Sequence, residues 1–99
     1  MTEFKLVVSA EAELDIAEAR DRYRSIGPEL EGSFRTAVDD AVFAIQTRPY
    51  AYHLVHGSLR RILLRRFPYF LLFAVFNETV VVFGCFHARR DPNNWRLRG

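Results

Sequence analysis

Eight arginines stand in the second half of the 99-residue chain: Arg60, Arg61, Arg65, Arg66, Arg89, Arg90, Arg96 and Arg98. Among them lie His87 and the single tryptophan, Trp95. A guanidinium is planar, always charged, forks onto phosphate or carboxylate, and lies flat on aromatic faces. Thirteen of the fourteen cations are arginine, so an anionic partner is expected. A GC-rich genome would account for any one of these arginines but not for the cluster. His87 is of interest because imidazole titrates near neutrality without help. Trp95 can stack on a base but cannot move a proton. Other chemistry finds no support. His53 and His56 resemble a metal pair, but no cysteine or carboxylate stands beside them. Ser9 and Ser58 lack a nucleophile's surroundings, and the five scattered glycines form no phosphate-binding loop. A classical hydrolase or nucleotide enzyme is not expected, nor is a cofactor.

The charge that surrounds these residues is unevenly spread. Residues 1–50 carry six Lys/Arg against ten Asp/Glu, and residues 51–99 carry eight Arg against two acids, so a net charge of +2 hides halves of −4 and +6. With 49% hydrophobic and 14% aromatic residues the chain can bury a core as one domain spanning residues 1–99. Cys85 is the only cysteine, so no internal disulfide is possible. The first residues, Met1-Thr2-Glu3-Phe4-Lys5, lack the basic head and apolar stretch of a signal peptide. The apolar run from Phe67 to Phe76 contains Pro68 and is about half the length needed to span a bilayer. A cytoplasmic protein without membrane attachment is the expectation.

The elements that must position the arginines follow from periodicity. Phe4 to Val8 is predicted as a short strand. Ser9 then caps a helix whose first turns hold Glu11, Glu13 and Asp15, where the helix dipole favours negative charge. Its apolar stripe is Ala12, Ile16, Ala19, Tyr23 and Ile26, and Gly27-Pro28 ends it. A second helix opens at Pro28 and buries Leu30, Phe34, Ala37, Val38, Ala41, Val42 and Ile45. It stops near Arg48, because Pro49 disfavours a helical residue before it. So short a connection predicts an antiparallel helix hairpin with its acids outward. After Pro49 a β-meander is predicted: Tyr50 to Val55, Ser58 to Phe67, Tyr69 to Phe76, a turn at Asn77-Glu78-Thr79, and Val80 to His87. The arginine strand would put Arg60 and Arg66 on one face and Arg61 and Arg65 on the other. The next two strands are apolar on both sides, so the face away from the helices also needs cover. Either the chain's own C-terminal segment with its arginine stems or a partner chain must supply it.

In this order the pieces resemble a known family. A strand, a helix hairpin ending in Arg48-Pro49, an Arg60-Arg61 strand, the Arg66-Phe67-Pro68-Tyr69 junction and a closing His87-x-x-Arg90-Asp91-Pro92 with Trp95 resemble the RelE/ParE toxins of bacterial type II toxin–antitoxin systems. The resemblance covers essentially the whole chain. It implies an α+β fold with an N-terminal strand and an antiparallel helix hairpin packed on a small, mainly antiparallel sheet. It also implies a cognate antitoxin, growth inhibition, plasmid stabilisation, and a dimer or higher toxin–antitoxin complex.

Two mechanisms compete within that resemblance. RelE-like members cleave mRNA on the ribosome, which needs cations on phosphate and groups that move protons to and from the ribose and the leaving oxygen. On that reading His87, Arg66 and Arg90 are the catalytic candidates. ParE-like members act on DNA gyrase and need no catalysis. On that reading Arg60, Arg61, Arg65, Arg89, Trp95 and Arg96 bind the target. The Arg66-Phe67-Pro68-Tyr69 junction and the His87-x-x-Arg90-Asp91-Pro92 close are nearer to the ParE branch, and proton-transfer groups are scarce. A relative that only binds its antitoxin is a third possibility. Structural roles compete at each position: His87 as a local hydrogen-bond partner, Arg90 paired with Asp91 or a helix acid, and Trp95 as a cap on the core.

Overall fold

The computed structural model describes residues 4–91. Two helices pack on one face of a five-stranded mixed sheet. Strand β1 (Lys5–Val8) leads into helix α1 (Ala10–Ile26), and helix α2 (Pro28–Thr47) follows. A 3-10 turn at Pro49–Ala51 precedes strands β2 (Leu54–His56), β3 (Leu59–Leu63), β4 (Tyr69–Phe76) and β5 (Thr79–His87). The strand order is β1-β5-β4-β3-β2, with β1 parallel to β5 and every other pair antiparallel. The expected α+β architecture and mainly antiparallel sheet are present.

The helix hairpin forms where its residues predict. The Ser9 hydroxyl accepts from the Ala12 N–H at 3.0 Å, satisfying one of the donors that an α-helix leaves open at its start. Gly27 alone connects the helices, and Pro28 opens α2. Glu31 clasps the hairpin by accepting from Arg20 at 2.9 Å and Arg24 at 2.7 Å. Those two guanidiniums hold its carboxyl down at about 2, well below the usual range. The stripes are shorter than expected at that tip. Ile26 is 68% exposed and Leu30 faces water. Ala12, Ala19, Phe34, Ala37, Val38, Ala41 and Ile45 are buried against Tyr69, Leu71, Phe73, Val80, Val82 and Cys85. Phe34 lies within ring contact of Tyr23, Phe67 and Tyr69.

Two expectations about the sheet need correction. Tyr50 to Val55 is not one strand: Pro49 starts a 3-10 turn, and β2 is only Leu54–His56. The arginine strand ends at Leu63, so Arg65 and Arg66 lie on the bend before β4 and not on either sheet face. Arg66 takes φ +75°, a left-handed conformation that a strand cannot contain. The face away from the helices is covered within the single chain, the first of the two alternatives expected. Leu59, Phe70, Leu72, Ala74 and Phe86 form a second core there, with Phe70 at 1% and Leu72 at 0% exposure in the isolated chain.

Candidate functional site

A bulge in β5 decides which way the end of that strand points. Leu72 pairs with Gly84, but Phe73 pairs with Val82, which leaves Phe83 as an extra residue. Side chains alternate between faces along a strand, so one inserted residue reverses every position after it. Before the bulge Val80 and Val82 face the helices; after it Cys85 does, and Phe86 joins the second core. His87 consequently shares a hollow with helix residues and stacks edge-on to Tyr69, its cross-strand partner, at 5.0 Å.

The first turns of α1 hold the bulge in place. Pairing of β1 with β5 ends at Val82, which leaves the β5 edge open beyond it. There the Ser9 N–H donates to the Val82 carbonyl at 3.0 Å, and the Ser9 hydroxyl donates to the Phe83 carbonyl at 3.4 Å. One turn on, the Cys85 N–H donates to Asp15 Oδ2 at 3.0 Å. Burial, and then the Asp15 carboxylate, push the Cys85 thiol up to about 12, so it stays a thiol near neutrality.

Between α1 and the ends of β4 and β5 lies a hollow of about 160 Å³, lined by Asp15, Glu18, Arg22, Tyr69, His87 and Asp91 among others. Arg22 donates to the Tyr69 hydroxyl. The His87 Nδ1 accepts two backbone hydrogen bonds, from Arg89 N–H at 3.1 Å and Arg90 N–H at 3.0 Å. The Asp91 N–H returns to the His87 carbonyl at 2.9 Å, closing the turn. An Nδ1 that accepts carries no proton, so the neutral ring bears its hydrogen on Nε2. Burial, then the nearby Arg90 charge, lowers the His87 pKa below its ordinary value.

The other candidates are dispersed. Arg60 donates to the Tyr52 carbonyl at 2.7 Å and lies over the Tyr50 ring, so it pins the 3-10 turn. Arg61 reaches over Phe70 on the second core. Arg65 and Arg66 border a hollow against α2 with Ser33, Thr36 and Asp40, distinct from the one that His87 lines. Arg89 and Arg90 are exposed beside His87. Trp95 and Arg96 lie outside the described residues. Of the three catalytic candidates, His87 and Arg90 are brought together and Arg66 lines other surroundings. Among the described residues, no group of three His, Cys, Asp or Glu side chains is placed to hold a metal ion, and no helix is long and apolar enough to cross a membrane.

Sequence reasoning does not point to Arg22, Asp15 and Tyr69 as companions of His87, although they surround it. The available signal is Gly84, a glycine inside a run of β-formers, which marks a bulge and a change of face.

No family model matches the chain, and no curated protein matches it by sequence. Solved structures do. A chain from the chromosomal ParDE toxin–antitoxin system of P. aeruginosa superposes with a TM-score of 0.75 at 19% identity, covering 86% of this chain and 96% of that one. The architecture is the RelE/ParE fold. A mutant of the E. coli toxin RelE in the free state, with arginines replaced by alanine, aligns at TM-score 0.61 and 16% identity, over 98% of this chain and 94% of that one. The isolated E. coli RelE toxin aligns at 0.51 and 18% identity, over 95% and 94%. Within the RelE/ParE fold, the hairpin supplies the wall of the His87 hollow, and the β3–β4 bend supplies Arg65 and Arg66.

Proposed function

We propose that the chain is the toxin of a type II toxin–antitoxin module, neutralised in the cytoplasm by a cognate antitoxin, and that it arrests growth through DNA gyrase and not by cutting mRNA. The fold shared with the ParDE chain and with RelE supports the toxin reading. The higher superposition on the ParDE chain supports the ParE-like branch.

The observation that carries the choice is the state of His87. Its Nδ1 is committed to the Arg89 and Arg90 amides, and its Nε2 holds the only ring proton. As a base it has no free lone pair to offer. As an acid it would need an imidazolium, which removes both amide bonds and adds charge beside Arg22, Arg89 and Arg90. His87 therefore serves as the cap of the 88–91 turn. On this reading Arg89 and Arg90, displayed by that turn, engage the target together with Trp95 and Arg96, as phosphate- or carboxylate-binding groups. Arg66 holds a left-handed backbone as a non-glycine residue, a local cost tolerated where a side chain must project.

His87→Asn tests the reading, because an amide oxygen can accept the turn's N–H groups but cannot move a proton near neutrality. Expression of either form is expected to arrest growth with filamentation and to leave ribosome-bound mRNA intact. Codon-register cleavage of mRNA by the wild-type chain, lost in His87→Asn, would establish the ribonuclease in its place.

A further inference from the structure

From Val82 onward, four backbone groups of β5 are taken up by partners outside the strand ladder. The Val82 carbonyl accepts from the Ser9 N–H, the Phe83 carbonyl accepts from the Ser9 hydroxyl, the Cys85 N–H donates to Asp15 Oδ2, and the His87 carbonyl accepts from the Asp91 N–H. The first three partners come from the cap and first turns of α1, and the last from the 88–91 turn. An edge left bare there would be free to slip in register or to pair elsewhere.

Asp15 is the member of this set that helix packing alone does not call for. It stands three residues after Ala12 and four before Ala19, so helical spacing puts it on the stripe that faces the sheet, where both alanines are buried. A carboxylate on an inward stripe costs free energy unless it is hydrogen-bonded. The small alanines on either side let α1 lie close to β5, and the short aspartate side chain then reaches the Cys85 amide at 3.0 Å. Cys85 is the second residue after the bulged Phe83 and the second before His87. Side chains alternate along a strand, so whatever fixes Cys85 also fixes the face to which His87 turns. A slip of one residue would take Cys85 out of the main core, put Phe86 in its place and carry His87 away from Tyr69. Without His87 in place the amides of Arg89 and Arg90 lose their acceptor.

We propose that Asp15 is the positioning residue of the arginine-bearing turn: by holding the Cys85 amide it fixes the direction in which β5 ends and, through His87, the presentation of Arg89 and Arg90. The inference rests on the toxin reading only for what those arginines bind. The start of α1 thereby sets the geometry of a surface 70 residues further along the chain. The largest charge effects on His87 come from Arg90, Asp91, Arg22 and Arg89, so Asp15 acts through its acceptor oxygen and not through its charge.

Three substitutions in the full chain separate the acceptor from the charge. Asp15→Asn keeps an acceptor oxygen at the same reach and removes the charge, Asp15→Glu keeps the charge and moves the oxygens one methylene farther, and Asp15→Ala removes both. The readouts are the His87 imidazole titration by NMR, hydrogen exchange at the Arg89 and Arg90 amides, and inhibition of DNA gyrase supercoiling. In Asp15→Ala and Asp15→Glu the His87 pKa is expected to rise toward its ordinary value, the two amides to exchange about tenfold faster, and inhibition to weaken about tenfold, because a surface loosened before binding loses affinity. Asp15→Asn is expected to behave as the wild-type chain in all three. Impairment of Asp15→Asn overturns the proposal, since the charge would then be what acts. So does wild-type behaviour of Asp15→Glu and Asp15→Ala, or a loosened turn that leaves inhibition unchanged. If Asp15→Ala does not fold, the contrast between Asp15→Asn and Asp15→Glu decides. A wild-type chain without effect on gyrase refutes that target, and the titration and exchange then decide by themselves whether Asp15 sets the turn.

Discussion

At the scale of single residues, Cys85 is held by burial and His87 by hydrogen bonds to backbone. Cys85 is buried with its thiol pushed up to about 12, and His87 caps a turn through Nδ1. The His87 arrangement has a consequence for stability. Its folded pKa is depressed, so between the folded and unfolded values the unfolded chain binds more protons, and stability rises with pH. The contribution is complete above the unfolded pKa of about 6.5 and is lost as pH falls through the folded value. Urea midpoints measured between pH 7.5 and 5 should therefore fall with acid in the wild-type chain, and the part of that slope due to this residue should vanish in His87→Asn. Identical slopes for the two would show that Nδ1 does not bear the turn. The sequence offered His87 as a local hydrogen-bond partner, but not which amides it accepts from nor the pKa direction, since His87-Ala88-Arg89-Arg90 also reads as a catalytic histidine among phosphate-binding arginines.

At the scale of elements, the helix hairpin was readable because its signals are local. Ser9 as a cap, Gly27-Pro28 as a break and the three-and-four spacing of Ala12, Ile16, Ala19 and Tyr23 each act within a turn or two. Strand limits were read less well. Tyr50 to Val55 and Arg65 to Phe67 are rich in strand-formers or flank them, yet Pro49 sets a 3-10 turn and the β3 ladder with β4 ends at Leu63. Such ends depend on partners distant in sequence, which propensity does not report. The β5 bulge is the clearest case, because it is held by α1 through Ser9 and Asp15, 70 or more residues away. Ser9 serves both elements, as the cap of α1 and as donor to the Phe83 carbonyl. Ser9→Ala is therefore expected to cost about 1–2 kcal/mol in urea unfolding, near the upper end for a lost cap. A loss of only a few tenths would show that water replaces the hydroxyl at both places.

At the scale of the molecule, the uneven charge of the sequence becomes a division of surfaces. Seven of the acids on the helices, Glu11, Glu13, Glu18, Asp21, Glu29, Asp39 and Asp40, are exposed there, while the arginines collect along the β3–β4 side and beyond β5. Arg60 turns inward to hold the 3-10 turn, Arg61 lies over Phe70 on the second core, Arg65 and Arg66 border the hollow against α2, and Arg89 and Arg90 project beyond His87. A cationic surface of this kind speeds encounter with anionic partners and loses that advantage in salt. What sequence could not divide was the set of arginines itself, since all eight share one chemistry and only the fold separates the six among the described residues. The reading as a non-catalytic toxin is tested most directly by titrating the purified chain into DNA gyrase supercoiling relaxed plasmid, at low and physiological salt. Inhibition of supercoiling that saturates with the chain, is retained by His87→Asn and weakens in Arg89→Glu with Arg90→Glu is the predicted result. Supercoiling unchanged at saturating chain would contradict it.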